Sequence, residues 1–264
     1  MSEKNIKKAI AIPPSVDNFF IEVAEITRFT GRFFKTAFKR PYEFSEILRQ
    51  SFIIGYNSLG LVAITGFIMG LVLTIQSRPT LARLGAESWL PGMVAVSIIR
   101  EIGPVITALI CAGKIGSGIG AELASMKVTE QIDAMEVSGI NPFKYLVVTR
   151  VIAAMMMIPV LVIFSDAIGL FGSYLGVNIM DHVDLRLYFS KAIDSLDFSD
   201  VLPAFIKTYF FGFAIGIIAC FKGYTSNKGT EGVGIAANSA VVVGSLCIFI
   251  IDMIAVQLAS FFMK

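Results

Sequence analysis

Two adjacent charged residues, Arg100 and Glu101, interrupt an apolar stretch of the sequence that covers residues 90–113. A charge at the centre of a bilayer costs ~2.5–3.5 kcal/mol on insertion scales, so it needs a partner charge, water or surrounding protein. A guanidinium and a carboxylate in such surroundings can bind a polar ligand, or they can pin helices together. The pair therefore marks either a binding site or a lock between helices.

Three more charged residues fall inside apolar stretches, at a similar predicted depth: Asp166, Lys207 and Asp252. Removing one member of a buried ion pair typically costs ~3–5 kcal/mol, because the other charge is left uncompensated. We expect Glu101 to pair with Lys207, with Asp252 close by. The same patch is also suited to the wall of a cavity, and both roles stay open at this point.

The sequence offers no set of residues for bond chemistry or metal binding. It has a single histidine, His182, and its three cysteines all lie in apolar stretches, where a free cysteine behaves as a small hydrophobe. The glycine-rich segment 113–120 lacks the Gly-x4-Gly-Lys-Ser/Thr pattern of a phosphate-binding loop. We expect no catalytic residue, no metal and no cofactor in this chain, and no nucleic-acid partner.

Composition indicates an all-α integral membrane protein. Charged residues make up 16% of the 264 residues and hydrophobic residues 55%, whereas a soluble domain has about 25% charged residues. Each crossing of a ~30 Å hydrocarbon core needs ~20 apolar residues. Five spans are predicted at about 52–75, 90–113, 149–177, 203–221 and 239–262.

The N-terminal segment, residues 1–51, differs from the predicted transmembrane domain, residues 52–264. Residues 15–40 repeat phenylalanine and aliphatic residues at helical spacing, with basic residues clustered late. This pattern is typical of an amphipathic helix in the membrane interface. Partial insertion of this helix would give a sixth span.

The distribution of basic residues predicts the orientation in the membrane. Fifteen Lys and Arg residues fall on the side of the N-terminus and four on the other side. The positive-inside rule therefore places the N-terminus in the cytoplasm and the C-terminus outside.

A short helix is predicted at residues 130–137, between the second and third spans. Thr129 can cap its start and Gly139 follows its end. Its acidic stripe is Glu130, Asp133 and Glu136, and its apolar stripe is Val128, Ile132 and Met135. Such an amphipathic helix is suited to docking into a groove of a partner, although a solvated loop helix has the same periodicity.

Four stretches of the sequence resemble the MlaE/YrbE permeases. They are REIGPV (100–105), AGKIGS (112–117), AELASMKVTEQIDAMEV (121–137) and NPFKYLVVTRV (141–151). These permeases are the membrane subunits of bacterial ABC systems that work with MCE-domain proteins to move phospholipids between membranes. The likeness is dense over residues 97–155 and thinner from 52 to the C-terminus, and it does not cover residues 1–40 well.

The resemblance implies roles for particular residues. It implies an ATPase-coupling helix, and an outward-open lipid cavity near a homodimer interface. Lys207 and Asp252 match positions where the family has its other intramembrane charges. The cavity positions are Leu73, Gln76, Arg100, Glu101 and Ile102, and those of the coupling helix are Glu130, Gln131, Ile132, Asp133, Met135 and Glu136. Asp166 receives no shared role, because some relatives lack an acid there.

The resemblance also implies the partners and the location. They are a second copy of the chain, a cytoplasmic ABC ATPase that binds the ATP, a periplasmic MCE-domain protein, phospholipids, and as a further candidate a small accessory protein on the ATPase. The implied location is the bacterial inner membrane.

A proton-coupled transporter or channel that uses the intramembrane carboxylates is the alternative, with a passive scaffold as a third reading. An inverted repeat would favour the transporter, and we see none.

Overall fold

The computed structural model describes residues 14–40, 42–179, 182–226 and 229–262, and these residues form helices without any strand. Five helical segments of this part are long and apolar enough to cross a membrane, as the sequence predicted. Their bounds are Phe44–Arg83, Glu87–Val128, Phe143–Asn178, Phe198–Tyr224 and Gly229–Phe261. Each is longer than the predicted span, because the helix continues past the apolar core at one or both ends.

The α-helices follow one another without long connections. They are α1 (Pro14–Ala37), α2 (Phe44–Arg83), α3 (Leu90–Ser97), α4 (Gly103–Cys111), α5 (Ser117–Val128), α6 (Gln131–Val137), α7 (Thr149–Asn178), α8 (Leu185–Asp194), α9 (Phe198–Tyr224) and α10 (Gly229–Phe262). Helix α6 precedes the long helix α7 in the chain and α8 follows it, so the two short helices mark opposite ends of the bundle. We call these the α6 end and the α8 end.

The chain divides into two units, Met1–Tyr42 and Glu43–Lys264. The first contains α1, which begins and ends within three residues of the predicted helix. The second contains all five candidate spans. Helix α2 starts at Phe44, so it includes residues 44–51, which the sequence analysis assigned to the N-terminal segment.

The second span is not one regular α-helix. Turns of π-helix at Ile98–Ile102 and Ala112–Gly116 separate α3, α4 and α5. Pro104 explains the first of them in part, since its nitrogen has no hydrogen to donate to the carbonyl of Arg100. Instead, the amide of Gly103 donates to the carbonyl of Ile98, five residues back, as in a π-helical turn.

Glycines bring α2 and α7 into close contact. A Cβ atom at Gly70 would collide with the backbone carbonyl of Gly169, and one at Gly172 with the carbonyl of Phe67. Without a driving force between apolar helix and apolar lipid, small residues allow the backbone approach that gives tight helix packing. These glycines therefore hold the first and third spans together.

A chain of buried hydroxyls fixes α8 to the spans. The hydroxyl of Ser173 lies 2.5 Å from that of Tyr188 and 2.5 Å from that of Thr74, which donates to the carbonyl of Gly70 at 2.9 Å. Burial raises the pKa of the Tyr188 phenol, while its hydrogen bond with Ser173 acts in the opposite direction. The phenol is neutral at physiological pH, and it joins α8 to α7 and α2.

The spans differ in how much of their surface is covered. Helices α7 and α9 are mostly buried within the chain, whereas α2 and α10 are mostly exposed. Their exposed surfaces carry large apolar side chains, among them Ile64, Ile68, Leu246, Phe249 and Ile250. Such surfaces are suited to lipid or to another apolar helix.

Candidate functional site

Lys207 lies at the centre of an ion-pair network at the α8 end. Its ammonium donates to Oε2 of Glu101 and to Oδ1 of Asp252, each at 2.8 Å. The π turn after α3 positions Glu101, α9 positions Lys207, and α10 positions Asp252. This is the pairing expected from the depths of these residues in the sequence, and it joins three spans.

The exposure of the three side chains is unequal. Lys207 is 4% exposed, Asp252 15% and Glu101 40%. A buried ammonium is stable only when other groups satisfy its charge and its protons, and here two carboxylates do so. Two carboxylates with one ammonium leave one net negative charge. The side chain of Glu101 is the most exposed of the three.

Arg100 does not join this network; it pairs with Asp200. One guanidinium nitrogen lies 3.3 Å from Oδ1 of Asp200, in the first turn of α9. Asp200 was not predicted as a partner from the sequence. A signal was present, because Asp200 and Lys207 are seven residues apart and so lie on one face of a helix, as the partners of two adjacent residues would.

The two ion-pair systems border one narrow cavity between α9, α10 and the π turn. Its lining is Arg100, Glu101, Ser199, Asp200, Pro203, Ala204, Lys207, Ala255, Val256 and Ala259. About 20 Å³ of it is open within a single chain, which is room for about one water molecule. Charged groups from α9 and the π turn thus meet small apolar residues of α10.

The other predicted cavity residues lie elsewhere in the chain. Leu73 packs against an apolar cluster that includes Ile98 and Tyr188. Gln76 is exposed on α2. Ile102 lines a second small cavity with Gly66 and other residues of α2, α4 and α7. The structure thus brings together Arg100 and Glu101 of this set, and the shared role of all five positions stays a prediction.

Asp166 stands apart from the other intramembrane charges. Its carboxylate packs against Gly103, where a Cβ atom would collide with Oδ1. That oxygen is buried and has no hydrogen-bond partner in the part of the chain that the structure describes. The expected cluster of five charges therefore resolves into the Lys207 network, the Arg100–Asp200 pair and a separate carboxyl group.

The short helix α6 lies at the other end of the second span. It covers Gln131–Val137, and Gly139 follows with a positive φ of 78°, as the sequence predicted. The predicted cap is wrong: the hydroxyl of Thr129 donates to the carbonyl of Ser125 at 2.8 Å. The preceding helix runs on to Val128, so that carbonyl competes for the hydroxyl, and Glu130 turns the chain with a φ of 59°.

Helix α6 presents its acidic stripe to solvent and its apolar stripe to the bundle. Glu130, Asp133 and Glu136 are exposed, whereas Ile132 is buried. An ion pair of 2.9 Å between Lys127 and Asp133 ties α6 to α5. Helix α5 is the last helix of the second span, so this ion pair connects α6 to that span.

Comparison with known proteins finds a family and several relatives that match most of the chain. The family model described as Permease MlaE matches residues 47–258. A probable ABC transporter permease protein of Rickettsia typhi is 43% identical over 220 residues, which are 83% of this chain and 85% of the relative.

Two more distant relatives carry more specific names. The intermembrane phospholipid transport system permease protein MlaE of Haemophilus influenzae is 37% identical over 213 residues, 80% of this chain and 81% of the relative. The chloroplastic protein TRIGALACTOSYLDIACYLGLYCEROL 1 of Arabidopsis thaliana is 34% identical over 226 residues, 86% of this chain and 64% of that protein. The family match includes most of each of the five candidate spans, and the chain therefore belongs to the MlaE permease family.

Proposed function

We propose that this chain is the permease subunit of an ATP-driven ABC transporter that moves phospholipids between the inner and outer membranes of a bacterium. The chain makes no bonds itself, and a separate ATPase binds and hydrolyses the ATP. Family membership supports the transport role, and the name of the Haemophilus influenzae relative supports the phospholipid substrate. The Lys207 network with the adjacent Arg100–Asp200 pair is the structural observation that carries the proposal.

The cavity beside this network is proposed to hold the lipid. Arg100 is 47% exposed, so its guanidinium can donate to a phosphate, for which its planar fork is suited. Small residues of α10 on the opposite wall leave room for acyl chains. A homodimer formed through the exposed apolar faces of α2 and α10 would enlarge and close this cavity.

The alternative of a proton-coupled transporter has less support. Both Glu101 and Asp252 accept hydrogen bonds from Lys207, so joining three spans already accounts for the two carboxylates. Asp166, the remaining intramembrane acid, lies outside this network. A passive scaffold would explain the network as a lock between helices, but it does not agree with membership of a permease family.

Lipid retention tests the cavity directly. Purified chain in detergent is expected to retain phospholipid, which mass spectrometry identifies and counts. Arg100→Ala removes the proposed phosphate ligand and is expected to lower retention about tenfold, since hydrogen bonds to charged groups contribute about 1.5 kcal/mol or more. Arg186→Ala, in α8 and outside the cavity, is the matched control. Equal retention in the two variants would contradict the assignment.

The docking of the ATPase is proposed to occur at α6. Glu130→Lys with Glu136→Lys reverses the charge of its exposed stripe, so less ATPase is expected to copurify, most clearly at low salt, where exposed charges are least screened. Glu87→Lys makes the same change in an exposed residue at the α8 end and is expected to leave copurification unchanged. An ATPase that binds all three proteins alike would exclude α6 as the docking helix.

A further inference from the structure

A second polar cavity lies at the α6 end, between α2 and the end of the second span. It has an open volume of about 210 Å³, which would hold about seven water molecules at ~30 Å³ each. Its lining is Gln50, Ile53, Ile54, Asn57, Ser58, Lys114, Ile115, Gly118, Ile119 and Glu122. We call it the α6-end cavity.

This cavity is distinct from the site at the α8 end. Glu101 and Lys114 are thirteen residues apart on one helical span, which corresponds to ~20 Å at 1.5 Å per residue. No residue lines both cavities. A ligand here would therefore lie near the opposite surface of the membrane.

Two donors in the α6-end cavity are incompletely used. The hydroxyl of Ser58 is buried, with 1% of the residue exposed, and it has no hydrogen-bond partner in the described part of the chain. The ammonium of Lys114 donates to the backbone carbonyl of Asn57, which leaves protons for another acceptor. A buried hydroxyl without a partner is costly, and an acceptor inside the cavity would remove that cost.

The charges in and directly behind the cavity lining sum to one positive charge, which favours an anion. Glu122 is the only carboxylate among the residues that line it. Its Oε1 accepts a hydrogen bond of 2.7 Å from the buried guanidinium of Arg150, which compensates its charge. Lys114 pairs with a carbonyl rather than a carboxylate, so its positive charge is left over.

The surroundings of the cavity place it at the level of lipid head groups. Phe52 and Tyr56, on the exposed surface of α2 beside it, stack with ring centroids 5.4 Å apart. Tyrosine is enriched where the membrane meets water. Four of the cavity's ten lining residues are isoleucines, and one of them, Ile53, is 41% exposed. An anion with an apolar body attached fits this combination.

We propose that the α6-end cavity binds the phosphodiester head group of a phospholipid from the membrane leaflet at that end. Lys114 and Ser58 donate to the phosphate oxygens, and Ile53 contacts the start of an acyl chain. Within the proposed function this would be a second lipid position on the transport path, and that role rests on the proposed function. The binding itself does not depend on it.

Photocrosslinking tests this site in the full chain. An added Cβ at Gly118 meets no atom within 4 Å, so a benzophenone amino acid can be placed there inside the cavity. The chain is reconstituted in vesicles of phosphatidylethanolamine and phosphatidylglycerol radiolabelled at phosphorus, without ATP or partners. Irradiation is expected to label the chain. Gly113, which also has open space around its Cβ and does not line the cavity, is the matched control position.

Variants and competitors identify the ligand. Lys114→Gln is expected to lower labelling at position 118 about tenfold, Lys114→Arg to retain it, and Arg186→Ala, which lies outside both cavities, to leave it unchanged. Inorganic phosphate is expected not to compete, and competition at millimolar concentration would instead indicate a soluble anion. Equal labelling at positions 113 and 118, or a crosslink to a second copy of the chain, would overturn the site. If position 118 is labelled but the chain reconstituted with its partners shows no ATP-dependent lipid transfer, the transport role is overturned and the binding site is not.

Discussion

At the scale of single residues, Lys207 determines how the charged site is built. It is the buried cation between two carboxylates of two other helical segments, so its role in stability and any role in transport act through the same atoms. The pair Arg100–Asp200 beside it is more exposed. Breaking the Lys207 network is therefore expected to cost more stability than breaking the Arg100–Asp200 pair.

Lys207→Met is expected to destabilise the protein by ~3–5 kcal/mol, because Glu101 and Asp252 are then left near each other without a cation. The free energy of unfolding in detergent micelles measures this. The triple variant Glu101→Gln, Lys207→Met, Asp252→Asn removes all three charges and is expected to recover most of the loss. A triple variant as unstable as Lys207→Met would show that the charges are not the cause.

Arg100→Ala is expected to cost at most about 1 kcal/mol of stability, since a pair exposed to this extent contributes little. The same unfolding measurement checks it. A loss as large as that of Lys207→Met would instead place Arg100 within the stabilising network.

The sequence was sufficient to identify the charged residues but not all their partners. Charged residues within apolar runs are visible in the sequence itself, and their predicted depth follows from counting residues. These two signals identified Glu101 and Lys207 as partners. Asp200 was missed because it lies at a helix start next to other acids of a polar connection. Only the helix phase that relates it to Lys207 distinguishes it from them.

At the scale of elements, the glycine contact of α2 with α7 and the π turn in the second span shape the molecule. The sequence predicted both spans but neither detail. Glycine spacing alone does not tell which helix comes close. The sequence Gly103-Pro104 indicates an interrupted series of helix hydrogen bonds. Whether the interruption produces a kink or a π turn depends on the packing around Ile98 and Asp166.

Gly70→Ala is expected to destabilise the protein by ~1–3 kcal/mol, because the new Cβ meets the backbone of Gly169 and the helices must separate. Thermal unfolding of the purified protein measures it. Gly60→Ala, on the same helix, has open space around its Cβ and is expected to be neutral or to stabilise by up to about 1 kcal/mol. If the two substitutions have the same effect, close packing at Gly70 is not required.

At the scale of the whole molecule, the second span joins the two ends of the bundle. The Lys207 network holds it at the α8 end through Glu101, and the ion pair of Lys127 with Asp133 ties it to α6 at the other end. We propose that a displacement of α6 by a partner reaches the charged site along this span. The number of spans followed from apolar length, whereas this connection required the contacts of the folded chain.

The central claim is that the charged site at the α8 end lies on the path of the lipid. Its most direct test is ATP-dependent transfer of fluorescent phospholipid by the chain reconstituted with its ATPase and MCE-domain partners. The triple variant Glu101→Gln, Lys207→Met, Asp252→Asn, shown first to be folded, is the protein to compare with wild type. We predict at least about a tenfold lower rate, as expected when the wall of the lipid cavity loses the charges of Glu101 and Lys207 beside Arg100. Transfer at the wild-type rate would contradict the account and leave the network a structural lock.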